Sequence, residues 1–398
     1  MTEGRKRIAI IENHELGIYS IRHDLVKAIA EKYDVTVLTE VDDSFKNGDL
    51  EKLVHFVDVG KAVLNPATAL KYYGRLKKAL QKATPDVVLT FTIRPAIYGN
   101  LVTRSLKLPT ISTITGTGPL FDSRSISYTI ARQLYKRVLK KTKFVFFPNY
   151  DDLNGFVERG YIKREQARRV PGSGINYEQF SPQPSTRAND GKFVFLYISR
   201  LIKDKGVMEY VEAASILKDH FPNAAFHIVG PLWTGNKKSL TVTADELNGW
   251  IEKKWIVYHD KQKDVRPFIA NADCVVMPSY REGMNNVLLE AASMARPLIA
   301  TDVTGCRDIV DNGVNGLLCK VKSGKDLAEK MKRMMSLSSG ERETMGQKGR
   351  EKMIKEFDKK IVIRSYLEAI EEVLQSDVNS RESLIVNGIP NNQSPIDD

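Results

Sequence analysis

The sequence has few cysteines and no long apolar run. Cys274, Cys306 and Cys319 are odd in number and widely spaced, which argues against a disulfide framework and against a structural zinc site. No apolar stretch approaches the roughly 18 to 20 residues that span a bilayer, and Glu12 interrupts the N-terminal apolar run too early for a signal peptide. We therefore expect a cytoplasmic protein with reduced, buried thiols.

Acidic residues are also scarce in one part of the chain. The formal net charge is +11, and the excess of positive charge lies entirely within residues 1–200. Between Lys61 and Lys143 there are 16 basic residues, against only Asp86 and Asp122. A field of this sign must face an anionic partner, and the candidates are nucleic acid, an anionic membrane surface and a phosphorylated substrate.

Short apolar runs rich in Val, Ile and Phe alternate with longer segments of helical period, and this alternation occurs twice. The pattern is typical of parallel α/β architecture. Strands are predicted at 7–11, 35–39, 55–59, 86–90, 110–114 and 144–147, and again at 193–199, 225–229, 256–259, 274–277 and 297–300. We therefore predict an α/β fold of two doubly wound, Rossmann-like domains that face each other across a cleft, where such sheets bind ligands.

The connecting segments predict where the domains divide. A polar stretch with two prolines separates the two halves, and the last residues are polar with few apolar anchors. The predicted divisions are 1–175 for the N-terminal domain, 176–192 for the linker, 193–356 for the second domain, 357–375 for a C-terminal helix expected to pack back on the first domain, and 376–398 for a disordered tail.

The first candidate ligand site follows a predicted strand of the second domain. Arg200 lies at the end of this strand, and Lys205 lies near the start of the next helix. Both side chains can point into the cleft, where they and the helix dipole would neutralise a diphosphate. Basic residues in a loop are more often part of a solvated surface, so this signal is weak by itself.

Two carboxylates flank the start of a later helix. Glu282 precedes a glycine, and Glu290 lies eight residues further on, inside the apolar segment NVLLEAA. A glutamate at the start of a helix can simply favour the helix dipole, which accounts for Glu282 but not for Glu290. A buried carboxylate is costly unless a donor meets it, and a pair of ribose hydroxyls is such a donor.

Together these segments resemble the retaining family 4 glycosyltransferases of GT-B fold. The resemblance rests on the pair Glu282 and Glu290, on the pair Arg200 and Lys205, and on segments 172–182 and 301–318. It implies that a hexosyl or N-acetylhexosaminyl unit is transferred from a nucleotide diphosphate donor, expected to be a UDP-sugar, with retention at the anomeric carbon. The first domain is then expected to bind the acceptor.

The resemblance also implies a role for individual residues. Arg200 and Lys205 would bind the diphosphate, and Glu290 the ribose. The donor sugar would be held by Glu282 with the backbone amides of Gly283, Met284, Asn285 and Asn286. No cofactor is implied, because the nucleotide sugar is a substrate. Metal-dependent sugar transferases of the other common fold usually carry Asp-x-Asp, which this chain lacks; we predict a metal-independent enzyme with Arg200, Lys205 and Glu282 as its catalytic residues.

The N-terminal half meets the family pattern only in part. Many members have two adjacent glycines after the first strand, where this chain offers only Gly17 as the predicted contact to the donor. Many also place a histidine near the reacting sugar, where this chain has a loop starting at Thr115 and Gly116 and continuing to residue 118. This loop is either a phosphate loop at the acceptor or a strand-to-helix turn. His14 fits a loop or core histidine better than a catalytic base.

Segments 20–29 and 305–308 are most similar to members that build bacterial surface glycans on polyprenyl diphosphate carriers. A helix predicted over 127–144 carries apolar residues on one face, with five cations beside it: Arg132, Lys136, Arg137, Lys140 and Lys141. It is either a core helix with a charged outer face or a surface that lies against anionic headgroups. We favour the second interpretation, with a peripheral location on the inner face of the cell membrane and a lipid-linked or oligosaccharide acceptor.

Two other classes of protein remain open. A nucleic-acid-binding protein would explain the charge, but no reader motif is recognisable and the carboxylate pair would have no purpose there, so no nucleic-acid partner is expected. An epimerase or phosphorylase of GT-B fold would share the same cleft.

Overall fold

The computed structural model of the protein describes residues 4–42, 48–61, 66–116, 126–187, 190–233 and 240–386. The first half forms a seven-stranded sheet in which all strand pairings are parallel. Its strands are β1 Arg7–Ile11, β2 Asp34–Thr39, β3 His55–Asp58, β4 Val87–Phe91, β5 Thr110–Thr113, β6 Phe144–Phe147 and β7 Ala167–Arg169. The helices are α1 Glu15–Gly17, α2 His23–Lys32, α3 Pro66–Ala83, α4 Ile93–Leu106, α5 Ile126–Leu139 and α6 Tyr150–Glu158, and a π-helical turn at Ile18–Arg22 leads into α2.

The second half forms a six-stranded sheet, again with parallel pairings throughout. Its strands are β8 Phe193–Ile198, β9 Ala224–Val229, β10 Val257–His259, β11 Cys274–Met277, β12 Leu298–Thr301 and β13 Gly316–Cys319. The helices are α7 Val207–Lys218, α8 Ala244–Glu252, α9 Arg266–Ala270, α10 Asn286–Ser293, α11 Gly324–Ser336, α12 Ser339–Glu356 and α13 Lys359–Val386. Both predicted sheets are therefore present, and the α/β class with two doubly wound sheets is confirmed.

The central strands are apolar along their whole length because helices cover both faces of a parallel sheet. All residues of β4, VVLTF, and of β11, CVVM, are buried. One apolar cluster surrounds the second sheet, and three smaller clusters pack on the faces of the first. These cores hold the loops at the strand ends in fixed positions.

The strand orders place the ligand-binding edge of each sheet. The first sheet has the order β3-β2-β1-β4-β5-β6-β7, and the second β10-β9-β8-β11-β12-β13. In both sheets the chain changes direction between the first strand and the fourth, which is where doubly wound sheets bind ligands at the carboxyl ends of their strands. The loops after β1, β4, β8 and β11 are therefore the positions at which functional side chains are expected.

The last helix returns to the first domain. Val362, Tyr366 and Ile370 of α13 are buried in the same apolar cluster as Ile8 and Ile10 of β1. The hydroxyls of Tyr366 and Thr113 lie 2.5 Å apart. The helix therefore joins the end of the second domain to the sheet of the first.

The bounds of α13 differ from the prediction. A helix over 357–375 and a disordered tail over 376–398 are expected from the sequence, but α13 continues to Val386. Neither glycine nor proline occurs between 376 and 386, whereas Gly388 and Pro390 follow, so the first strong helix breakers come after the observed end. The remainder of the predicted tail, 387–398, lies outside the described residues.

Candidate active site

A cavity of about 590 Å³ opens at the carboxyl edge of the second sheet. It is lined by residues from the loops after β8, β9, β10 and β11. Of the predicted site residues, those that line it are Arg200, Lys205, Glu282, Met284, Asn285, Asn286 and, from the first domain, Thr115. The structure thus brings most of the predicted donor site to one cavity, which we call the first cavity.

The most direct contact in the first cavity is an ion pair. The Nζ of Lys205 donates to Oε1 of Glu282 at 2.7 Å, and Nδ2 of Asn285 donates to the same oxygen at 3.0 Å. The side chain of Glu282 is only 9% exposed and that of Lys205 is 27% exposed. The carboxylate is therefore held by two donors and has a fixed direction toward the cavity.

Asn285 also fixes the start of α10. Its side-chain oxygen accepts from the backbone N–H of Leu288 at 3.0 Å, so Asn285 is the N-cap of the helix. Asn and Asp are preferred at this position because they satisfy an otherwise unpaired N–H group. One side chain thus ties the helix terminus to Glu282, and the free amides of the first turn face the cavity.

Arg200 is exposed and lies at the start of the loop after β8. Its guanidinium carbon lies 4.7 Å from the ring centroid of Trp233, a cation–π arrangement. This stacking restricts the direction of the guanidinium without using its N–H donors. The sequence analysis did not predict a role for Trp233. The signal that could have found it was a single aromatic residue in the loop after β9.

Glu290 lies on α10, one turn beyond Asn286. Partial burial raises its pKa to about 7, and the nearby ammonium of Lys359 opposes this shift. Among the described residues, the linings of the first cavity and of the neighbouring one include Asn286 but not Glu290. The role of Glu290 at the ribose therefore remains a prediction.

A second cavity of about 330 Å³ adjoins the first and lies between the two domains and α13. The two cavities share the lining residues Ile21, Thr115, Met284 and Asn286. Gly17, predicted as a donor contact, lines this second cavity instead of the first. A side chain there would approach Cδ of Glu12 at 3.3 Å, so glycine leaves room for that carboxyl group.

The second cavity contains a buried ion pair that the sequence analysis missed. Nη1 of Arg22 lies 3.0 Å from Oε2 of Glu12, and the two side chains are 7% and 4% exposed. Burial raises the pKa of Glu12, opposed by Arg22 and by the N–H of Asn13. Arg22 also lies 4.3 Å over the ring of Phe91. The signal in the sequence was the charged residue directly after the apolar strand β1.

The predicted loop at Thr115 and Gly116 is the point where the two domains meet. A Cβ at Gly283 would lie 2.3 Å from the carbonyl oxygen of Thr115, so only glycine permits this approach. The Nδ2 of Asn149, in the first domain, donates to the carbonyl oxygen of Gly283 at 2.8 Å. Thr115 lines both cavities, while the last two residues of the predicted loop, 117 and 118, lie outside the described residues.

The helix with the predicted basic surface is α5. Tyr135, Val138 and Leu139 are buried in the core of the first domain, whereas Ile130 is 63% exposed. The helix ends at Leu139 rather than at the predicted residue 144, so Lys140 and Lys141 follow it. Of the five cations, Arg137, Lys140 and Lys141 are exposed, and Arg132 and Lys136 are half-buried. The Nζ of Lys136 donates to the carbonyl of Arg159 at 3.3 Å. The helix is therefore a core element that also presents a basic outer surface.

None of the described helices is both long and apolar enough to cross a membrane.

Comparisons with known proteins agree with this architecture. Residues 7–149 match the model for glycosyl transferase 4-like domains, and residues 180–352 match that for glycosyl transferases group 1. The chain is 25% identical to the N,N'-diacetylbacillosaminyl-diphospho-undecaprenol alpha-1,3-N-acetylgalactosaminyltransferase of Campylobacter jejuni, over 93% of this chain and all of that protein.

Two solved structures are similar in fold. Sucrose-phosphate synthase from Thermosynechococcus elongatus superposes with a TM-score of 0.77 at 18% identity, over 94% of this chain and all of that one. HepE from Anabaena, in complex with UDP and glucose, superposes with a TM-score of 0.74 at 18% identity, over 92% of this chain and all of that one. The two family models, which together span most of the chain, and the two facing parallel sheets show that this chain belongs to the family 4 glycosyltransferases of GT-B fold.

Proposed function

We propose that this glycosyltransferase moves a hexosyl or N-acetylhexosaminyl unit from a UDP-sugar to a polyprenyl-diphosphate-linked glycan acceptor in bacterial surface glycan synthesis. The observation that carries the proposal is the pair of adjoining cavities. One is lined by Arg200, Lys205 and Glu282, the other by Glu12 and Arg22, and Thr115 lines both. A donor in the first cavity and an acceptor in the second would then meet at their shared wall.

The first cavity suits a nucleotide diphosphate. Arg200 and Lys205 supply two cations, and the first turn of α10 supplies N–H groups at the positive end of a helix dipole. Glu282 can accept hydrogen bonds from the hydroxyls of the donor sugar, and the side-chain amide of Asn285 can donate to them. The name of the HepE structure, in complex with UDP and glucose, supports UDP as the nucleotide.

The carboxylates that line the cavities favour a front-face mechanism. Among the described residues these carboxylates are Glu12 and Glu282, and each lies within 3.0 Å of a cation that holds it. A double displacement requires a carboxylate free to attack the anomeric carbon. In the proposed route the acceptor oxygen bonds to the anomeric carbon on the face from which the diphosphate departs, the bond to the β-phosphate oxygen breaks, and the acceptor's proton passes to the leaving diphosphate. Configuration is therefore retained.

The groups that stabilise this departure are Arg200 and Lys205. Negative charge develops on the leaving diphosphate, and fixed cations aimed at that charge lower the barrier more than they stabilise the ground state. The stacking of Arg200 on Trp233 and the bond from Lys205 to Glu282 hold both cations before the donor arrives. Little reorganisation is then needed during the reaction.

The acceptor side suits a sugar bound near a membrane. In the second cavity, Glu12 can accept and Arg22 can donate hydrogen bonds to sugar hydroxyls, while Phe91 and Tyr366 contribute apolar parts of the lining. The name of the Campylobacter jejuni relative includes a diphospho-undecaprenol acceptor substrate. This supports a lipid-linked acceptor for this chain. The basic outer surface of α5 would hold the first domain against the inner face of the membrane.

A panel of nucleotide sugars tests this function. Each UDP-, GDP- and TDP-sugar is incubated with the protein in the presence and absence of a polyprenyl-diphosphate-linked monosaccharide, and free nucleotide diphosphate and glycosylated lipid are measured. We expect one UDP-sugar to give equal amounts of UDP and product, with the donor's anomeric configuration. Release of sugar phosphate would instead identify a phosphorylase, and conversion of the sugar without an acceptor would identify an epimerase.

A further inference from the structure

A third cavity, of about 380 Å³, lies at the edge of the first sheet opposite the cleft. Its lining comes from the end of α4, the start of β5 and the segment between α5 and β6. Since parallel strands all begin at the same edge, this cavity is separated from the two catalytic cavities by the length of the sheet. It shares no lining residue with either of them.

Four cations line this third cavity, namely Arg104, Lys107, Lys141 and Lys143. Among the residues that the structure describes, no carboxylate lines it. All four are exposed. Within the described ranges none of their side chains forms a hydrogen bond or an ion pair, so no protein group there offsets their mutual repulsion. An anion inside the cavity would interact with all four charges at once.

The dipole of α4 explains only part of this arrangement of cations. Cations near a helix C-terminus complement its dipole, and this applies to Arg104 and Lys107 at the end of α4. Yet the α4 end is already capped by a backbone group, since the N–H of Lys107 donates to the carbonyls of Thr103 and Arg104. Lys143 belongs to no helix and precedes β6 directly. The dipole therefore does not account for the convergence of all four.

The floor of the cavity is polar and fully bonded. Asn100, Thr103 and Thr110 are buried. The hydroxyl of Thr110 donates to that of Thr103 at 2.8 Å, and the hydroxyl of Thr142 donates to Oδ1 of Asn100 at 2.8 Å. These bonds fix the floor and leave the rim cations as the groups available to a ligand. The volume is several times the roughly 30 Å³ that one water occupies in the liquid.

We propose that this third cavity binds a phosphate group, as a monoester or a diester. A guanidinium can bind two phosphate oxygens at once, and three ammonium groups supply point charges around the remainder. The phosphate could belong to the headgroup of an anionic phospholipid or to a soluble phosphate compound, which share this chemistry. The proposal does not depend on the donor or acceptor assigned to the cleft.

The test uses a variant that removes two of the four cations, Lys107→Gln with Lys143→Gln. A matched control, Lys71→Gln with Lys78→Gln, removes the same charge from exposed positions on α3 of the same domain. One arm titrates the full-length protein with inorganic phosphate by calorimetry, against chloride at equal ionic strength. The other arm sediments the protein with phosphatidylglycerol vesicles and, for comparison, with phosphatidylcholine vesicles.

The wild-type protein and the control are expected to bind phosphate in at least one arm, and the cavity variant to bind there at least about tenfold more weakly, with the control within about threefold. A loss in the cavity variant confined to phosphatidylglycerol vesicles would identify a lipid headgroup, and a loss in the inorganic phosphate titration would identify a soluble source. Lys107→Arg with Lys143→Arg keeps the charge and should restore binding. No wild-type binding in either arm, or equal losses in variant and control, would overturn the proposal. Turnover of a water-soluble acceptor reports on the cleft separately.

Discussion

The Nζ of Lys205 lies 2.7 Å from Oε1 of Glu282. The group predicted to bind the diphosphate and the group predicted to bind the donor sugar therefore neutralise each other in the structure. A bound nucleotide sugar has to share both partners of this pair, because its phosphate draws on Lys205 and its hydroxyls draw on Glu282. The ion pair thus compensates the charge of a largely buried carboxylate, and its two members lie at the predicted donor site.

A double-mutant cycle separates the structural role of this pair from its catalytic role. Lys205→Met leaves the Glu282 carboxylate, which is 9% exposed, without its cation; we expect the free energy of unfolding to fall by about 1–3 kcal/mol. Lys205→Met combined with Glu282→Gln should recover most of this loss without recovering turnover. Urea unfolding and steady-state rates measure the two effects. Normal turnover by the double variant would show that the pair is only structural.

Glu290 makes the stability depend on pH. Its pKa is about 7 in the folded protein, against an ordinary value of 4.5, so the folded state binds the proton more tightly than the unfolded state does. The free energy of unfolding therefore decreases as the pH rises from about 4.5 to about 7, by at most about 3 kcal/mol. Glu290→Gln should remove this slope and raise the stability at pH 8. An unchanged pH profile in urea unfolding would contradict the assignment.

The sequence was informative where local signals coincide with burial. The strands at 7–11, 144–147 and 274–277 match the structure because unbroken apolar runs between helical segments are what a two-sided parallel sheet requires. The residues predicted to bind the donor after β8 and β11 line one cavity, because the carboxyl ends of parallel strands lie at the edge where such sheets bind ligands.

What the sequence did not reveal depends on tertiary contacts. The ion pair of Glu12 with Arg22 joins residues ten positions apart whose burial comes from packing against β4. The stacking of Trp233 on Arg200 connects two loops from different strands. The sequence also placed Glu290 on the helix face toward the cleft, but spacing along a helix does not give which residues line a cavity, and Glu290 is not among the described lining residues.

Turnover is expected to persist in excess EDTA. The chain has no Asp-x-Asp, and Arg200 and Lys205 supply the positive charge that a divalent cation would otherwise bring to the diphosphate. The rate is measured after dialysis against chelator, with and without added magnesium or manganese. Loss of activity in EDTA with recovery on adding metal would show that the charge on the leaving group is supplied differently.

The basic outer surface of α5 is expected to hold the protein on anionic vesicles. Replacing Arg132, Lys136, Arg137, Lys140 and Lys141 with Gln should release it at physiological salt, because each cation contributes roughly 1 kcal/mol near such a surface. The KM for a lipid-linked acceptor should rise as well. A matched variant replaces five exposed cations of the second domain, Lys325, Lys332, Arg333, Lys348 and Lys355, and should sediment like the wild type. Equal loss of activity on a short water-soluble acceptor would contradict the membrane role.

The kcat of Arg200→Ala measures whether fixed cations stabilise the departing diphosphate. Lys203→Ala is the matched control, because Lys203 lies on the same loop but pairs with Glu246 at 3.5 Å. At saturating donor we expect Arg200→Ala to lower kcat by roughly 100- to 1,000-fold, as for other preorganised groups that stabilise developing charge, and Lys203→Ala to leave it near the wild-type value. A near-normal kcat for Arg200→Ala, with only the donor KM raised, would show that Arg200 binds the donor without stabilising the leaving group.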